Sequence, residues 1–485
     1  MKYVLFIIGA VVAVPCMTAF ASIGKKYRSV LIIALLIFIA IGVSINFVSM
    51  EWYRGPNRGY QVDAVDLITF SLLFALPFVP NRGIRLLPPG SFYLGLYFLF
   101  VVISLINAWN LTFALFGVFK LALSGVLFWT TYQWFRKEDH INTLVIGLIF
   151  LAVIQAIAAL KQKYGDGYYR VPGTFEHSNS LALFINLLLP VAFIASMKSS
   201  DRKPLEPVLL FLSAMALLAT ALFTYSRATI VLGSINAAAM IGYARLRVKS
   251  RYSGYISTAF AIFALIGAGM AAPSLVNRFK NAPKSSHEAR EEFNIAAKMM
   301  ADDLPTGVGY NCFSHALTNS QYRDHIKIMK NEQQAGVAHH IYWLNFSELG
   351  YWGGATYIIL IIGFEVLFFR FSLRGSRDSH LILFGIASGF LTLHLQGLLE
   401  WATRTPPLMY QMAFFLGVGS ALVSRIRENA KTDENPVIEE LKSSIDQGRF
   451  EYDEACISSD SALPPPCIPI YASTAGSLNR TTTNE

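Results

Sequence analysis

Apolar residues run through this chain in blocks of about 20, separated by shorter polar breaks, and a helix of that length crosses a hydrocarbon core of about 30 Å. The blocks centre near residues 12, 39, 72, 99, 121, 151, 188, 215, 236, 264, 362, 390 and 416. The pattern predicts an all-α polytopic membrane protein of about 12–13 transmembrane helices, with one long, partly helical loop before the last three spans. Four segments follow: helices 1–10 over residues 1–272, a loop over 273–351, helices 11–13 over 352–428, and a polar tail over 429–485 that reads as disordered.

The polar breaks alternate in charge. Lys25, Lys26 and Arg28 mark one side, as do Arg82 and Arg85, Arg136 and Lys137, and Lys198, Arg202 and Lys203. "RLRVKSR" at 245–251, "RGSR" at 374–377 and "SRIRENAK" at 424–431 continue the series. If each block is a true crossing, these fall on one side, and that side is cytoplasmic by the positive-inside rule. The opposite side carries the longer breaks 50–63, 161–178 and 273–340. The first 22 residues imitate a signal peptide, but the cations directly after them favour a retained helix.

Composition agrees. Of 485 residues, 54% are hydrophobic and only 15% charged, against about 25% charged in a soluble domain; mean hydropathy is +0.45. The net charge of +9 is therefore read loop by loop and not as a nucleic-acid footprint. Cys16, Cys312, Cys456 and Cys467 have neither metal spacing nor a paired framework. The two halves show no internal repeat of the kind transporters often carry.

Cations also sit on the outer side, where that rule disfavours them: Arg54, Arg58, Lys161, Lys163, Arg170, Arg278, Lys280, Lys284 and Arg290. Long loops tolerate such residues. Their clustering in three loops that could meet over one pocket suggests an anionic ligand such as a phosphate-bearing lipid. Within 273–340 lie His287, His315, His325, His339 and His340. Ser285 and Glu288 have capping-box spacing, and a helix is expected to run to about Asp302 with Phe293, Ala296, Ala297 and Met300 on one face. Arg290 falls on the same side; its plain role is a snorkelling arginine paired with Glu291 or Asn294. "GVGYN" at 307–311 is no phosphate loop, because it follows no strand and lacks a downstream lysine. In "VAHHIYWLNFSELGYWGG" a helical reading puts His339 on a face with Trp343 and Phe346, and His340 toward Leu344 and Ser347. No metal-ligand spacing links the histidines. An interfacial structural histidine and an acid–base histidine remain as readings.

Four stretches together resemble the O-antigen ligase and O-antigen polymerase superfamily of bacterial envelope glycan enzymes: "RVPGTFEHSNSLALFINLLLP" (170–190), "TYSRATIVLG" (224–233), "EAREEFNIAAKMMADDLPTGVGYNCF" (288–313) and "AHHIYWLNFSELGYWGG" (338–354). The resemblance covers roughly residues 60–420. It implies a glycosyltransferase of the inner membrane, facing the periplasm, that uses an undecaprenyl-pyrophosphate-linked glycan as donor. The acceptor would be lipid A-core or another glycan, with no cofactor and no metal. His339 matches the family's histidine, and His340 stands where asparagine is common. Arg290 and Arg227 match its arginines, with Arg278 a weaker match. Catalysis is expected at His339 and Arg290, and substrate binding at Arg227, Arg278, Arg170 and His340. Arginine neutralises a pyrophosphate leaving group without deprotonating, and a histidine base activates a hydroxyl. Ligase, polymerase and protein O-oligosaccharyltransferase share the motifs. A lipid-linked glycan flippase is the competing class, which should show related halves and charges at mid-membrane depth.

Overall fold

The computed structural model describes residues 2–79, 83–197, 205–248, 251–280, 284–325, 336–375 and 378–446. It is an all-α polytopic membrane protein. The helices in chain order are α1 (Lys2–Ile23), α2 (Lys25–Ile41), α3 (Ala64–Ala75), α4 (Ser91–Ile103), α5 (Leu111–Lys137), α6 (Ile141–Leu160), α7 (Ser178–Ser196) and α8 (Leu205–Phe223). They continue as α9 (Arg227–Arg247), α10 (Arg251–Lys280), α11 (Lys284–Asp303), α12 (Phe313–Thr318), α13 (Ile341–Ser372), α14 (Asp378–Gln396) and α15 (Pro406–Asp446).

Each of the thirteen apolar blocks forms a helix, but among the described residues ten are long and apolar enough to cross a membrane. The difference lies in α2, α3 and α4. The first has 17 residues, and Ala64–Phe78 and Ser91–Asn107 are shorter apolar helices. The described residues up to 429 form one compact unit, and those from 430 to 446 belong to a second. Within the first, α7, α14 and the start of α15 are the most enclosed. Apart from Asn186, which donates to Gln396, the run Leu181–Ala195 is apolar on every side and buried throughout, as a helix surrounded by other helices requires. By contrast, α1 and much of α10 present apolar side chains outward, where lipid would meet them.

Four boundaries differ from the sequence expectation. Helix α10 runs eight residues past 272, to Lys280. Helix α11 starts at Lys284, so Ser285 lies inside its first turn and not ahead of it. Helix α15 continues to Asp446, so the residues after 429 open as helix and not as a disordered tail. The break at 50–63 is flanked by a two-stranded antiparallel hairpin, β1 (Ser44–Phe47) with β2 (Tyr60–Asp63). The rest of the tail, 447–485, is outside the described residues.

Helix α13 departs most from a simple span. Gly350 has φ 70° and ψ 179°, a backbone open to glycine and strained for other residues, and it divides the helix into arms 341–349 and 351–372. In a straight helix Tyr342 and Tyr357 would be about 22 Å apart along the axis; their ring centroids are 5.9 Å apart. The first arm therefore doubles back along the second, and Phe346 packs over Gly354. The break falls beside the loop boundary expected at residue 351. It strands carbonyls that the "GVGYN" segment then satisfies. Val308 N–H donates to Ser347 O at 3.0 Å and Gly309 N–H to Glu348 O at 2.9 Å. A Cβ on Gly307 would strike the Glu348 backbone. These glycines thus allow backbone to approach backbone, not a phosphate.

Backbone and side-chain bonds gather the longer breaks at one end of the first unit. Trp109 N–H reaches Val308 O, Val171 N–H reaches Phe223 O, and Ile341 N–H reaches Gly397 O. The Asn311 side chain bridges Asn57 and Phe113. Below the hairpin, Lys120 is buried against Asp63, with Gln61 O at 3.1 Å and the Tyr410 hydroxyl at 2.6 Å. A lone ammonium at that depth would be costly. With carboxylate partners it ties the hairpin to α5 and α15. Three of the basic breaks meet at the opposite end, where Arg28 pairs with Glu138 at 2.7 Å and Arg425 with Asp139 at 3.2 Å.

Candidate functional site

At the end carrying the longer breaks, the acidic residue Glu400 is the hub of the site. It lies in the turn between α14 and a 3-10 turn, Ala402–Arg404, and it is 7% exposed. Arg290 of α11 places Nη1 3.2 Å from Glu400 Oε1 and 3.4 Å from the Leu399 carbonyl. His339 places Nδ1 3.7 Å from Glu400 Oε2, within ion-pair range but longer than a hydrogen bond. Asn179, at the start of α7, donates to Glu400 Oε1. Arg170 stands behind it, with Nη2 2.5 Å from Asn179 Oδ1 and Nε 2.9 Å from the Thr224 carbonyl. One carboxylate thereby joins two sequence-expected residues, Arg290 and His339, directly and a third, Arg170, through Asn179.

Local structure explains each placement. Ala296, Ala297 and Met300 of α11 are fully buried, and Phe293 packs beside them, so the helix docks by the face read from its periodicity. That docking turns Arg290, a third exposed, toward Glu400. His339 precedes α13 and is not part of it, so it does not share the helical face with Trp343 and Phe346. His340 is the N-cap residue. Its Nδ1 accepts from Trp343 N–H at 3.3 Å, satisfying one of the free donors of the first turn. An accepting Nδ1 leaves the ring proton on Nε2, so His340 is occupied as a neutral cap. Burial also pushes its pKa below the usual histidine value.

Arg227 opens α9, is exposed, and follows Tyr225 and Ser226 in the turn that binds Arg170. It stands on the same rim without a direct bond to Glu400. Arg278 is in the last turn of α10, and its side chain is outside the described residues. Of the other loop histidines, the described one does not join the site. His315 on α12 packs against Phe113 at 5.3 Å and faces Asn319 at 3.1 Å, while the side chains of His287 and His325 are outside the described residues. Among the described residues no cluster of three or more His, Cys, Asp or Glu could hold a metal ion.

A second buried group braces the first. Arg404 donates from Nη2 to Glu348 Oε2 at 2.6 Å and from Nη1 to Asn345 Oδ1 at 3.3 Å, and its guanidinium lies 3.8 Å from the Tyr310 ring centroid. Tyr97 donates to the same Asn345 oxygen at 2.8 Å. The first arm of α13 is thus clamped to residues 397–404 twice, at Ile341–Gly397 and at Glu348–Arg404. His339 precedes the arm, and Glu400 lies between the two clamps on the other strand of the contact.

The sequence reading missed Glu400, Asn179 and the Glu348–Arg404 pair. "LLEWATR" at 398–404 looks like the solvated end of a span. The available signal was a carboxylate and an arginine four residues apart just past an apolar block, on the side already rich in cations. No protein-family model matches the chain, and no curated protein aligns significantly with it.

Proposed function

We propose that this protein is a membrane glycosyltransferase of the O-antigen ligase kind. It would transfer a glycan from undecaprenyl pyrophosphate to an acceptor hydroxyl at the periplasmic face of the inner membrane. The observation that carries this reading is the Glu400 carboxylate held between the imidazole of His339 and the guanidinium of Arg290. Arg170 and Arg227 stand on the same rim, and the four quoted stretches supply the family resemblance.

The chemistry follows from the groups. With Nδ1 turned to Glu400, His339 has Nε2 left for substrate. It takes the acceptor hydroxyl proton as the oxygen bonds to the anomeric carbon. The bond from that carbon to the pyrophosphate oxygen breaks, and its electron pair leaves with the carrier pyrophosphate, inverting the centre. Glu400 stabilises the imidazolium that forms, as a carboxylate does beside a histidine base. Arg290, with Arg170 and Arg227, offers planar donors to the pyrophosphate oxygens, so its charge can be met without a metal ion.

The test is transfer by the purified protein in lipid nanodiscs, run beside donor binding. His339→Ala should keep donor binding and lose turnover, whereas Arg290→Ala should weaken both, with little recovery in Arg290→Lys. A fully active His339→Ala removes the histidine base. Loss of transfer in EDTA, restored by a divalent ion, replaces this mechanism with a metal site. The product separates the members of the class: glycan on lipid A-core marks a ligase, a longer carrier-linked glycan a polymerase, and glycan on a protein side chain an oligosaccharyltransferase. Movement of the donor across the bilayer with no new bond marks a flippase.

A further inference from the structure

At the opposite end of the bundle, two arginines from separate parts of the chain converge on one phenyl ring. Phe371 is buried in the last turn of α13. The guanidinium carbons of Arg374, just past α13, and Arg427, on α15, lie 4.6 and 4.7 Å from its ring centroid. Arg370 and Arg85 are close enough for their positive charges to act on Arg427 as well. All four side chains are exposed. Among the described residues, none of the four is paired with a carboxylate. Two acids at this end are engaged elsewhere, Glu428 with Arg136 at 3.5 Å and Asp139 with Arg425 at 3.2 Å.

Two ordinary causes fall short. A helix C-terminus attracts cations, but Arg247 already donates to the Leu373 carbonyl at 2.9 Å. The positive-inside rule puts arginines at one end of a membrane protein, yet it does not stack two of them on one ring with two more charges close by. Unpaired like charges repel, and stacking on Phe371 holds two of them in place against that repulsion. The neighbouring surface is apolar. Leu86 and Leu87, directly after Arg85, are 76% and 77% exposed, and Phe92 is also exposed. Trp129 Nε1 donates to the Leu86 carbonyl at 3.1 Å, a ring with one apolar side and one polar tip.

We propose that Arg85, Arg370, Arg374 and Arg427 form a binding site for the headgroup of an anionic phospholipid, with a two-phosphate headgroup preferred. Its acyl chains would lie along Leu86, Leu87 and Phe92. Guanidinium forks match phosphate oxygens, and an anion bridging them removes the mutual repulsion. Basic pockets between transmembrane helices suit such headgroups. The proposal is independent of the transfer reaction, whose site is at the other end.

The experiment is native mass spectrometry of the full chain released from detergent, titrated separately with diphosphatidylglycerol, phosphatidylglycerol, phosphatidylcholine and inorganic phosphate. The wild type should hold diphosphatidylglycerol most tightly and phosphatidylcholine least. Arg374→Gln with Arg427→Gln should weaken the first by about thirtyfold. Lys25→Gln with Lys26→Gln removes the same charge from two exposed residues of the same end, and should change it by less than about twofold. Arg374→Lys with Arg427→Lys keeps charge and bulk, and should fall between wild type and the glutamine pair. Equal losses in the two glutamine pairs would reveal a diffuse field and overturn the site. So would binding of phosphatidylcholine as tight as that of diphosphatidylglycerol, or displacement of the lipid by inorganic phosphate at equal phosphate concentration.

Discussion

His339 and His340 are chemically identical and adjacent, and the fold separates them. One faces Glu400 and the other caps a helix. Replacing His340 with asparagine, a strong N-cap residue, should leave stability and transfer close to wild type, whereas alanine should cost about 0.5–2 kcal/mol of stability with the base still in place. Thermal unfolding and a transfer assay on the two variants check this. Burial lowers the folded-state pKa of His340, so as pH falls below 6.5 the unfolded chain takes up a proton that the folded chain resists. Stability should therefore decline with falling pH through that window, and His340→Asn should decline less steeply. Identical slopes would remove His340 as the source. Glu400→Gln should cut turnover by about 10²-fold or more if its charge supports His339, with donor affinity changed less.

The important element is the broken helix α13. Alanine at Gly350 would hold a positive φ and push its Cβ onto the Pro305 carbonyl, at a cost of about 1–3 kcal/mol in backbone strain alone. A Gly350→Ala protein as stable as wild type, by thermal unfolding, would mean that the arm joins the helix differently. Glu348 and Arg404 are 0% and 3% exposed, so removing either alone leaves an uncompensated buried charge and should cost about 3–5 kcal/mol. Glu348→Leu with Arg404→Met should recover most of that stability, because buried pairs exchange with apolar ones at little net cost. If the clamp positions Glu400, this stable double variant should still show reduced turnover. Full turnover would limit the pair to a structural role.

For the whole molecule, the orientation remains the prediction with the widest reach. In a variant with Cys16, Cys456 and Cys467 changed to serine, Ser320→Cys should react with an impermeant thiol reagent on intact cells, and Lys26→Cys should not. The natural Cys312 is buried, so it should add little background. The reverse result would put the Glu400 site in the cytoplasm and end the carrier-linked mechanism.

Hydrophobic blocks alone determined the helical membrane class and the position of every apolar helix, because transfer from water to hydrocarbon depends on composition within one segment. The periodicity of Phe293, Ala296, Ala297 and Met300 likewise determined which face of α11 docks, since a helix places such residues together without outside help. Three things depended on tertiary structure. The reversal at Gly350 needs the carbonyl-binding segment 307–309, which is distant in sequence. The role of His340 follows from where a helix begins, and that start is set by the Ile341–Gly397 bond. Glu400 belongs to no stretch that resembled anything. It gains meaning only because α7, α11 and the segment before α13 each bring one partner to it, and a carboxylate's chemistry is set by what surrounds it.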